Sequence, residues 1–207
     1  MKLIKLPPGI LQSNAFLVIS NGEAAMIDAG VSYEIVEKEL IDNTAVLKYV
    51  FLTHSHFDHC HFVDEIRESC DAKVCIHELE SEALADSHEN LSYYAGQPIV
   101  RENPDLTLSE GDVFTVGDET LKIIHSPGHS KGGICISVNG YLFTGDTLFK
   151  GAWGRTDFPD GNEKELLASI ERILEEFDDN VVVHSGHGAE TRIALEKSEN
   201  LFRHFLK

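Results

Sequence analysis

One short segment constrains this chain more than any other: residues 54–59, which read His-Ser-His-Phe-Asp-His. The apolar run just before it, residues 46–52, is short and contains β-branched and aromatic side chains, a pattern that predicts a β-strand. A strand end fixes the position of the loop that follows, so the loop's side chains can point at one place. Imidazole and carboxylate together suit zinc or iron, whereas magnesium and calcium prefer oxygen atoms. The segment predicts a metal site; the alternative is a polar loop with a chance cluster of histidines.

The spacing within this segment indicates more than one metal ion. His54 and His56 are two residues apart and fall on the same side of an extended strand end. Asp58 and His59 come after the chain has begun to turn, so they need not point at the same ion. A tetrahedral ion accepts four ligands, and four from one loop would leave none for the histidines of other loops. We therefore expect two ions that share one site.

Three later loops repeat the same construction: an apolar strand, then small residues, then a ligand-type side chain. His129 follows Ser-Pro-Gly, Asp146 follows Thr-Gly, and His187 follows Ser-Gly, each after a predicted strand. Taken singly, each loop would be typical of a capped turn or a surface histidine. Four such loops in one chain indicate a constellation of metal ligands.

In order and spacing, these loops resemble the motifs of the metallo-β-lactamase fold superfamily, and the likeness extends over nearly the whole chain. The resemblance implies two ligand sets joined by a shared carboxylate. One ion would be held by His54, His56 and His129, the second by Asp58, His59 and His187, and Asp146 would bridge them together with a water or hydroxide. Asp58 would also orient the proton of the nucleophile.

Two features place the resemblance in the glyoxalase II-like branch of the superfamily. Position 146 is an aspartate, where the β-lactamases have a cysteine or another pattern. Residues 154–158, Gly-Arg-Thr-Asp-Phe, resemble a segment of stand-alone glyoxalase II-like hydrolases and of persulfide dioxygenases. Arg155 would either bind a substrate carboxylate or brace this segment through Asp157. The helical C-terminal domain with which glyoxalases II grip glutathione is expected to be absent, and the thiol to be loosely selected.

The resemblance implies a dinuclear metal-dependent hydrolase with two zinc or iron ions, which cleaves a small-molecule hydroxyacyl thioester by a metal-bridging hydroxide. A thioester suits such a site because its thiol, with a pKa of about 8.5, can depart as thiolate without a strong general acid. The first alternative is an iron-dependent persulfide dioxygenase, with a single iron held by His54, His56 or His129, and Asp146. The second alternative is a metal-stabilised domain that acts only in binding.

Other polar side chains near the motifs are expected to support the site rather than to bind metal. Asp28, at a strand end, would brace the metal loops. His125 and His184 lie three or four residues before proposed ligands and would form hydrogen bonds near them. We expect Cys60 to be an unreactive packing thiol and His61 to have a supporting or surface role, with an extra ligand as the alternative.

Composition narrows the remaining classes of function. The formal net charge of −18 argues against nucleic acid and anionic membranes as partners, because both select basic surfaces. No apolar run approaches the roughly 20 residues that span a bilayer, and the start does not resemble a signal peptide, so we expect a cytoplasmic protein. The four cysteines lack paired C-x-x-C spacing and do not indicate a disulfide scaffold. The oligomeric state is left open.

Hydrophobic patterning predicts strands and helices in both halves of the chain. Strands are expected over 14–20, 23–28, 47–52, 73–76, 112–116, 120–125, 134–138, 141–144 and 181–183, and helices over 33–41, 62–68, 78–85, 162–177 and 194–205. Asn-Gly pairs at 21–22 and 139–140 predict type I′ turns, and residues 86–104 form either a lid or a surface loop. Strands and helices do not alternate strictly, which favours an α/β (α+β) fold of two packed mixed β-sheets with helices on the outer faces. The resemblance makes this an αββα sandwich, expected as one domain over residues 1–207.

Overall fold

The structure is a computed structural model that describes the backbone of residues 1–204 and the side chains of residues 1–202. Strands of two sheets dominate this part of the chain. The strands are β1 (Lys2–Lys5), β2 (Phe16–Ser20), β3 (Glu23–Ile27), β4 (Val46–Phe51), β5 (Lys73–His77), β6 (Leu106–Leu108), β7 (Val113–Val116), β8 (Glu119–His125), β9 (Ile134–Val138), β10 (Tyr141–Gly145), β11 (Leu148–Phe149), β12 (Ala152–Trp153), β13 (Val182–Ser185) and β14 (Thr191–Arg192). The α-helices are α1 (Tyr33–Asp42), α2 (Phe57–Cys60), α3 (Val63–Cys70), α4 (Glu163–Glu176) and α5 (Ile193–Glu199). Within this range, none of the helices has the length and apolar character needed to cross a membrane.

Both large sheets are mixed, as the sequence predicted. The first has the order β1-β2-β3-β4-β5-β6; β1 and β2 pair antiparallel with their neighbours, and β3 to β6 run parallel. The second has the order β14-β13-β10-β9-β8-β7, and β10 with β13 is its parallel pair. The short strands β11 and β12 form a separate hairpin.

Apolar side chains divide into three layers, because successive residues of a strand point to opposite faces. In β2, Phe16 and Val18 join the cluster between the two sheets, whereas Leu17 and Ile19 join the cluster under α1 and α3. Helix α4 covers the outer face of the second sheet with its buried leucine and isoleucine side chains. Each fully buried aliphatic or aromatic side chain contributes about 1.5–3 kcal/mol. The predicted αββα sandwich is confirmed.

The predicted hairpin turns are also confirmed. Asn21 and Gly22 have φ angles of 48° and 78°, and Asn139 and Gly140 have φ angles of 45° and 80°. Both central residues of a type I′ turn need positive φ. These turns set the pairing of β2 with β3 and of β9 with β10.

The helix predicted over 78–85 is wrong: the structure has two 3₁₀ turns, Glu78–Glu80 and Ala83–Ala85. Side chains replace the helical hydrogen-bond pattern here, because His77 Nδ1 accepts the N–H of Leu79 and Glu80 turns inward toward the metal loops. The short strands β1, β6, β11, β12 and β14 were not predicted. Few residues define each of them, so their patterns are too short to detect.

The closing helix predicted over 194–205 is shorter than expected. Helix α5 ends at Glu199, and a 3₁₀ turn covers Leu201–His204. Asn200 interrupts the helix with an extended conformation (ψ 141°), and its side-chain amide donates to Glu196 and to the Ala152 carbonyl. Position 205 lies outside the described residues.

Candidate metal centre

The four predicted ligand loops leave one edge of the sandwich. The first loop follows β4, and the loops of His129, Asp146 and His187 follow β8, β10 and β13. These three strands share one direction, since β8 and β10 are both antiparallel to β9 and β13 is parallel to β10. Their carboxyl ends therefore meet, and the β4 loop reaches the same place from the first sheet.

The structure brings all seven predicted ligands together at this edge. In each of three overlapping groups, one ligand atom per residue lies within 4.8 Å of the others. The groups are His54 with His56 and His129, Asp58 with His59 and His187, and His54 with His59 and Asp146. His129 Nε2 lies 3.0 Å from His56 Nδ1 in the first group, and His59 Nε2 lies 3.3 Å from His187 Nε2 in the second. The first two groups coincide with the two predicted ligand sets.

Asp146 lies between the two sets. Its Oδ2 atom is 3.6 Å from His129 Nε2, and its Oδ1 atom is 3.5 Å from His59 Nε2. One carboxylate thus faces an imidazole nitrogen of each set, as a bridging ligand must. Gly186 leaves room for it: a Cβ atom at position 186 would lie 2.2 Å from Asp146 Oδ1 and 2.7 Å from His59 Cε1.

Asp28 fixes the orientation of two histidines in the site. It is buried, and its Oδ2 atom lies 2.8 Å from His59 Nδ1. It also accepts the backbone N–H of Thr53 at 2.8 Å and the Thr53 hydroxyl at 2.9 Å. Since that hydroxyl gives its proton to Asp28, its oxygen can accept a proton from His54 Nδ1, 3.1 Å away. His54 and His59 therefore both carry a proton on Nδ1, which leaves Nε2 as the atom that each can offer to a metal ion.

Within residues 1–202, two buried atoms of the site lack hydrogen-bond partners, and this supports the view that the donor set fits metal ions. Among the described residues, neither His54 Nε2 nor Asp146 Oδ1 has a hydrogen-bond partner, although both atoms are buried. A buried polar atom without a partner costs about 1–3 kcal/mol. A cation coordinated by both sets of ligands would satisfy these atoms, and mixed imidazole and carboxylate donors suit zinc or iron.

The electrostatics of the site favour neutral imidazoles on one side and positive charge on the other. Burial and the neighbouring imidazoles hold the pKa values of His54 and His56 well below the ordinary value, so both are neutral ligands at pH 7. Burial also lowers the pKa of His59, but three carboxylates, Asp58 foremost, outweigh this and raise it to about 10. Burial raises the pKa of Asp58, but His59 and His187 bring it down to about 2.

A cleft of about 460 Å³ opens onto these groups. Its floor includes Asp58, Asp146 and His187, and its walls are formed mainly by apolar side chains: Leu11, Phe57, Leu91, Phe149, Trp153 and Phe158. Phe158 packs edge-on against His56, with ring centroids 5.1 Å apart. Leu91 belongs to the segment 86–104, so this irregular segment borders the cleft. The site is therefore open to a small molecule and largely apolar around its floor of candidate metal ligands.

Arg155 is held by its own loop. Its guanidinium donates to both carboxylate oxygens of Asp157 at 2.6 Å and lies 4.5 Å from the ring centre of Phe158. Its carbonyl oxygen lies 2.8 Å from His129 Nδ1, and because a carbonyl can only accept, the His129 proton is on Nδ1 and Nε2 faces the site. Arg155 thus positions a predicted ligand through its backbone, and its side chain braces the cleft wall.

Three polar residues that support the ligand loops were not predicted from the sequence. The Ser13 hydroxyl donates to the Asp58 carbonyl at 2.8 Å, and the Asn14 amide donates to the Ser185 carbonyl at 2.8 Å. Glu80 is buried and accepts hydrogen bonds from two of the loops. The serine and asparagine just before β2 are only a weak sequence signal of a supporting role. Glu80 gives no such signal, because its hydrogen-bond partners are distant along the chain.

The other polar residues near the motifs lie outside the ligand groups. Cys60 is buried, burial raises the pKa of its thiol, and its sulfur donates to the Ser55 carbonyl, which agrees with a packing role. His61 packs against Phe62. His125 donates to the Lys131 carbonyl and stacks on His77. His184, stacked with Phe143 and Tyr141, forms no hydrogen bond to a proposed ligand among the described residues, so its predicted supporting bond is wrong.

An αββα sandwich with overlapping groups of imidazole and carboxylate side chains at one edge defines a hydrolase-like enzyme with a candidate metal site. The family model of the metallo-beta-lactamase superfamily matches residues 8–187. The chain belongs to this superfamily.

Relatives with similar sequences cover nearly its whole length. A probable metallo-hydrolase, YqgX of Bacillus subtilis (strain 168), is 35% identical over 205 residues, which are 98% of this chain and 97% of the relative. The hydroxyacylglutathione hydrolase GloC of Haemophilus influenzae (strain ATCC 51907 / DSM 11121 / KW20 / Rd) is 30% identical over 207 residues, with 98% of each chain covered.

Solved structures show the same fold. The B3 metallo-beta-lactamase BLEG-1 superposes with a TM-score of 0.90 at 33% identity, over 97% of this chain and 99% of that chain. The di-iron-bound form of TTHA1623 superposes with a TM-score of 0.84 at 32% identity, over 98% of this chain and 100% of that chain.

Proposed function

We propose that this protein is a dinuclear metal-dependent hydrolase that cleaves a hydroxyacyl thioester, with two zinc or iron ions held by the two ligand sets. The observation that carries the proposal is the place of Asp146, whose two oxygens face a nitrogen of each set. The name of the GloC relative supports the reaction class. The di-iron form of TTHA1623 supports two ions.

Two dications, if held by the two predicted ligand sets and Asp146, would supply hydroxide at neutral pH and polarise a substrate carbonyl. The chain contributes the position and charge of the groups around them. Asp58 borders the cleft with its Oδ2 atom 3.2 Å from His187 Nε2, and a pKa of about 2 keeps it ionised at neutral pH. It can therefore accept a hydrogen bond from the nucleophile and orient its proton at neutral pH.

The lining of the cleft favours a thioester over an amide. The described residues that line it include no lysine or tyrosine that could protonate a leaving amine. A thiol with a pKa of about 8.5 can leave as thiolate without such a donor. Apolar walls around Phe149, Trp153 and Phe158 suit the carbon skeleton of a short acyl group.

The thiol half of the substrate is expected to be loosely selected. The guanidinium of Arg155, which lines the cleft, is paired with Asp157 at 2.6 Å, and the ammonium of Lys131, two residues after the predicted ligand His129, is paired with Glu89 at 3.2 Å. All four side chains are well exposed, so solvent further weakens their fields. Neither cation is left unpaired to bind a carboxylate of the thiol.

The test compares thioester cleavage with oxygen consumption. S-lactoylglutathione and the smaller S-lactoyl-N-acetylcysteamine are assayed anaerobically, glutathione persulfide is assayed in air with an oxygen electrode, and nitrocefin reports β-lactam hydrolysis. We expect both thioesters to be cleaved without oxygen at similar kcat/KM. Oxygen uptake with persulfide and no thioester cleavage would establish the dioxygenase alternative, and turnover of nitrocefin alone would establish a lactamase.

Metal analysis of a fully loaded sample accompanies these assays. Two ions per chain are expected, and one ion per chain would contradict the dinuclear site. Asp146→Asn is the active-site variant, and Asp178→Asn, at an exposed position, is its matched control. Loss of thioester cleavage in the first variant alone ties the activity to the proposed bridge.

A further inference from the structure

Glu80 is a fully buried carboxylate that joins two loops of the metal centre. It is 0% exposed. Its Oε2 atom accepts the backbone N–H of Ser55 at 3.1 Å and the Ser55 hydroxyl at 2.5 Å, and its Oε1 atom accepts the backbone N–H of Gly132 at 2.8 Å. All three donors belong to loops that carry predicted ligands, yet Glu80 lies outside those loops.

The two hydrogen-bond partners of Glu80 lie close in sequence to ligands of the first group. Ser55 lies between His54 and His56, and Gly132 lies three residues after His129. One carboxylate is thus bonded to both loops that supply the three nitrogens of the first group. These hydrogen bonds lie in the protein interior, where water does not compete for the donors, so they hold the two loops at a fixed separation.

The packing around Gly132 shows how closely the second loop approaches Glu80. A Cβ atom at position 132 would lie 2.7 Å from Glu80 Cγ and 3.1 Å from the Glu80 backbone nitrogen. Any other residue would therefore displace either the loop or the carboxylate. The hydrogen bond between them depends on this close contact.

We infer that Glu80 is a positioning residue that sets the geometry of the His54, His56 and His129 group for its metal ion. The inference rests on the proposed function, since it needs that group to bind a metal. Replacement by glutamine keeps the shape of the side chain but puts an amide NH₂ where an acceptor is needed. Its single oxygen can accept hydrogen bonds either from Ser55 or from the N–H of Gly132, so one of the two loops loses its hydrogen bond to residue 80.

The chain offers a matched control in Glu196, a second buried glutamate with three hydrogen bonds. Its carboxylate accepts from the Thr191 hydroxyl at 2.6 Å, the Gly151 N–H at 2.9 Å and the Asn200 amide at 2.5 Å. None of these partners is a proposed metal ligand. Glu196→Gln therefore removes the same kind of buried charge without loosening the first ligand group.

The experiment measures the binding of Zn²⁺ to metal-depleted wild type, Glu80→Gln and Glu196→Gln by competition with a chromophoric chelator. Thermal unfolding is followed in parallel, and Co²⁺ absorption reports the coordination geometry. We expect both variants to have a lower Tm. Only Glu80→Gln should lose about 10–100-fold in affinity for one of the two ions, the usual effect of removing a partner that orients ligands, together with a changed Co²⁺ spectrum.

Equal zinc affinities in Glu80→Gln and Glu196→Gln would overturn the inference and leave Glu80 a purely structural residue. If Glu80→Gln does not fold, Ser55→Ala replaces it: loss of one hydroxyl donor should weaken the same ion by a smaller factor, and wild-type affinity would overturn the inference. Wild type that binds fewer than two ions would instead refute the proposed dinuclear function, so the two failures are distinguishable.

Discussion

Asp28→Asn is the most informative single substitution, because it changes charge with little change in shape. Asp28 has a φ angle of 59°, a left-handed conformation that asparagine tolerates well. Backbone strain is therefore nearly the same in the variant. The effect therefore reports on the charge and the hydrogen bonds of the side chain.

The amide cannot accept hydrogen bonds from both of the groups that Asp28 holds. If its oxygen keeps the Thr53 N–H, its NH₂ faces His59 Nδ1, which must then carry a lone pair. The neutral ring that binds a metal ion then keeps its one proton on Nε2, the atom that lies 3.5 Å from Asp146 Oδ1 and 3.3 Å from His187 Nε2. A protonated Nε2 cannot bind a cation, so the second ligand set is disabled until the tautomer reverts.

The size of the effect follows from the bond that is lost. One charge-assisted hydrogen bond contributes about 1.5–3 kcal/mol, and about 1.4 kcal/mol is a tenfold change in an equilibrium constant. We expect zinc affinity for one of the two ions to fall by about 10–100-fold, in agreement with other partners that orient metal ligands. Tm should fall as well.

The assay is a zinc competition titration of metal-depleted protein, followed by thioester turnover of the reloaded sample. Asp105→Asn is the control, since Asp105 also accepts a backbone N–H, that of Val74 at 2.9 Å, but lies away from the metal centre. Wild-type zinc affinity in Asp28→Asn, with the Asp105→Asn control unchanged, would falsify the assignment of the His59 tautomer and of its metal-binding nitrogen.

Three further predictions test other parts of the site. Asp146→Asn should lose most activity and bind fewer than two ions, because the amide keeps the shape but not the charge that holds two dications together; near wild-type turnover and metal content would contradict the bridging role. Metal-depleted protein should lose stability as pH rises from about 6.5 to 10: the pKa of His59 is raised to about 10, so the contribution of its proton is complete below about 6.5 and gone above 10. Urea midpoints across this range measure the loss, and a zinc-loaded sample with the same slope would refute it. Arg155→Ala and Asp157→Asn should raise KM alike with metal content unchanged, because the pair braces the cleft wall; a rise in Arg155→Ala alone would assign Arg155 to substrate binding.

The sequence by itself determined the fold class and the hairpin turns. For His129, Asp146 and His187, which lie far along the chain from the first ligand segment, the place in the candidate metal centre was predicted from the resemblance to the superfamily's motifs. The other signals are local. A period of two or of 3.6 residues shows which face of a strand or helix is buried, Asn-Gly pairs specify type I′ turns, and His54, His56, Asp58 and His59 lie in one short segment. That residues 1–207 form one domain, and that a small thioester rather than nucleic acid or membrane is the partner, stay predictions.

The sequence predicted that Asp28 braces the ligand loops, but only the tertiary structure decided which atoms hold the candidate ligands. Asp28 reaches His59 across 31 positions of the chain, and Glu80 reaches Ser55 across 25 and Gly132 across 52. The hydrophobic pattern within one segment carries no information about contacts between residues so far apart along the chain. The helix predicted over 78–85 was wrong for the same reason: its amphipathic pattern favours a helix in isolation, but the hydrogen bonds of buried Glu80 to two distant loops outweigh that local preference.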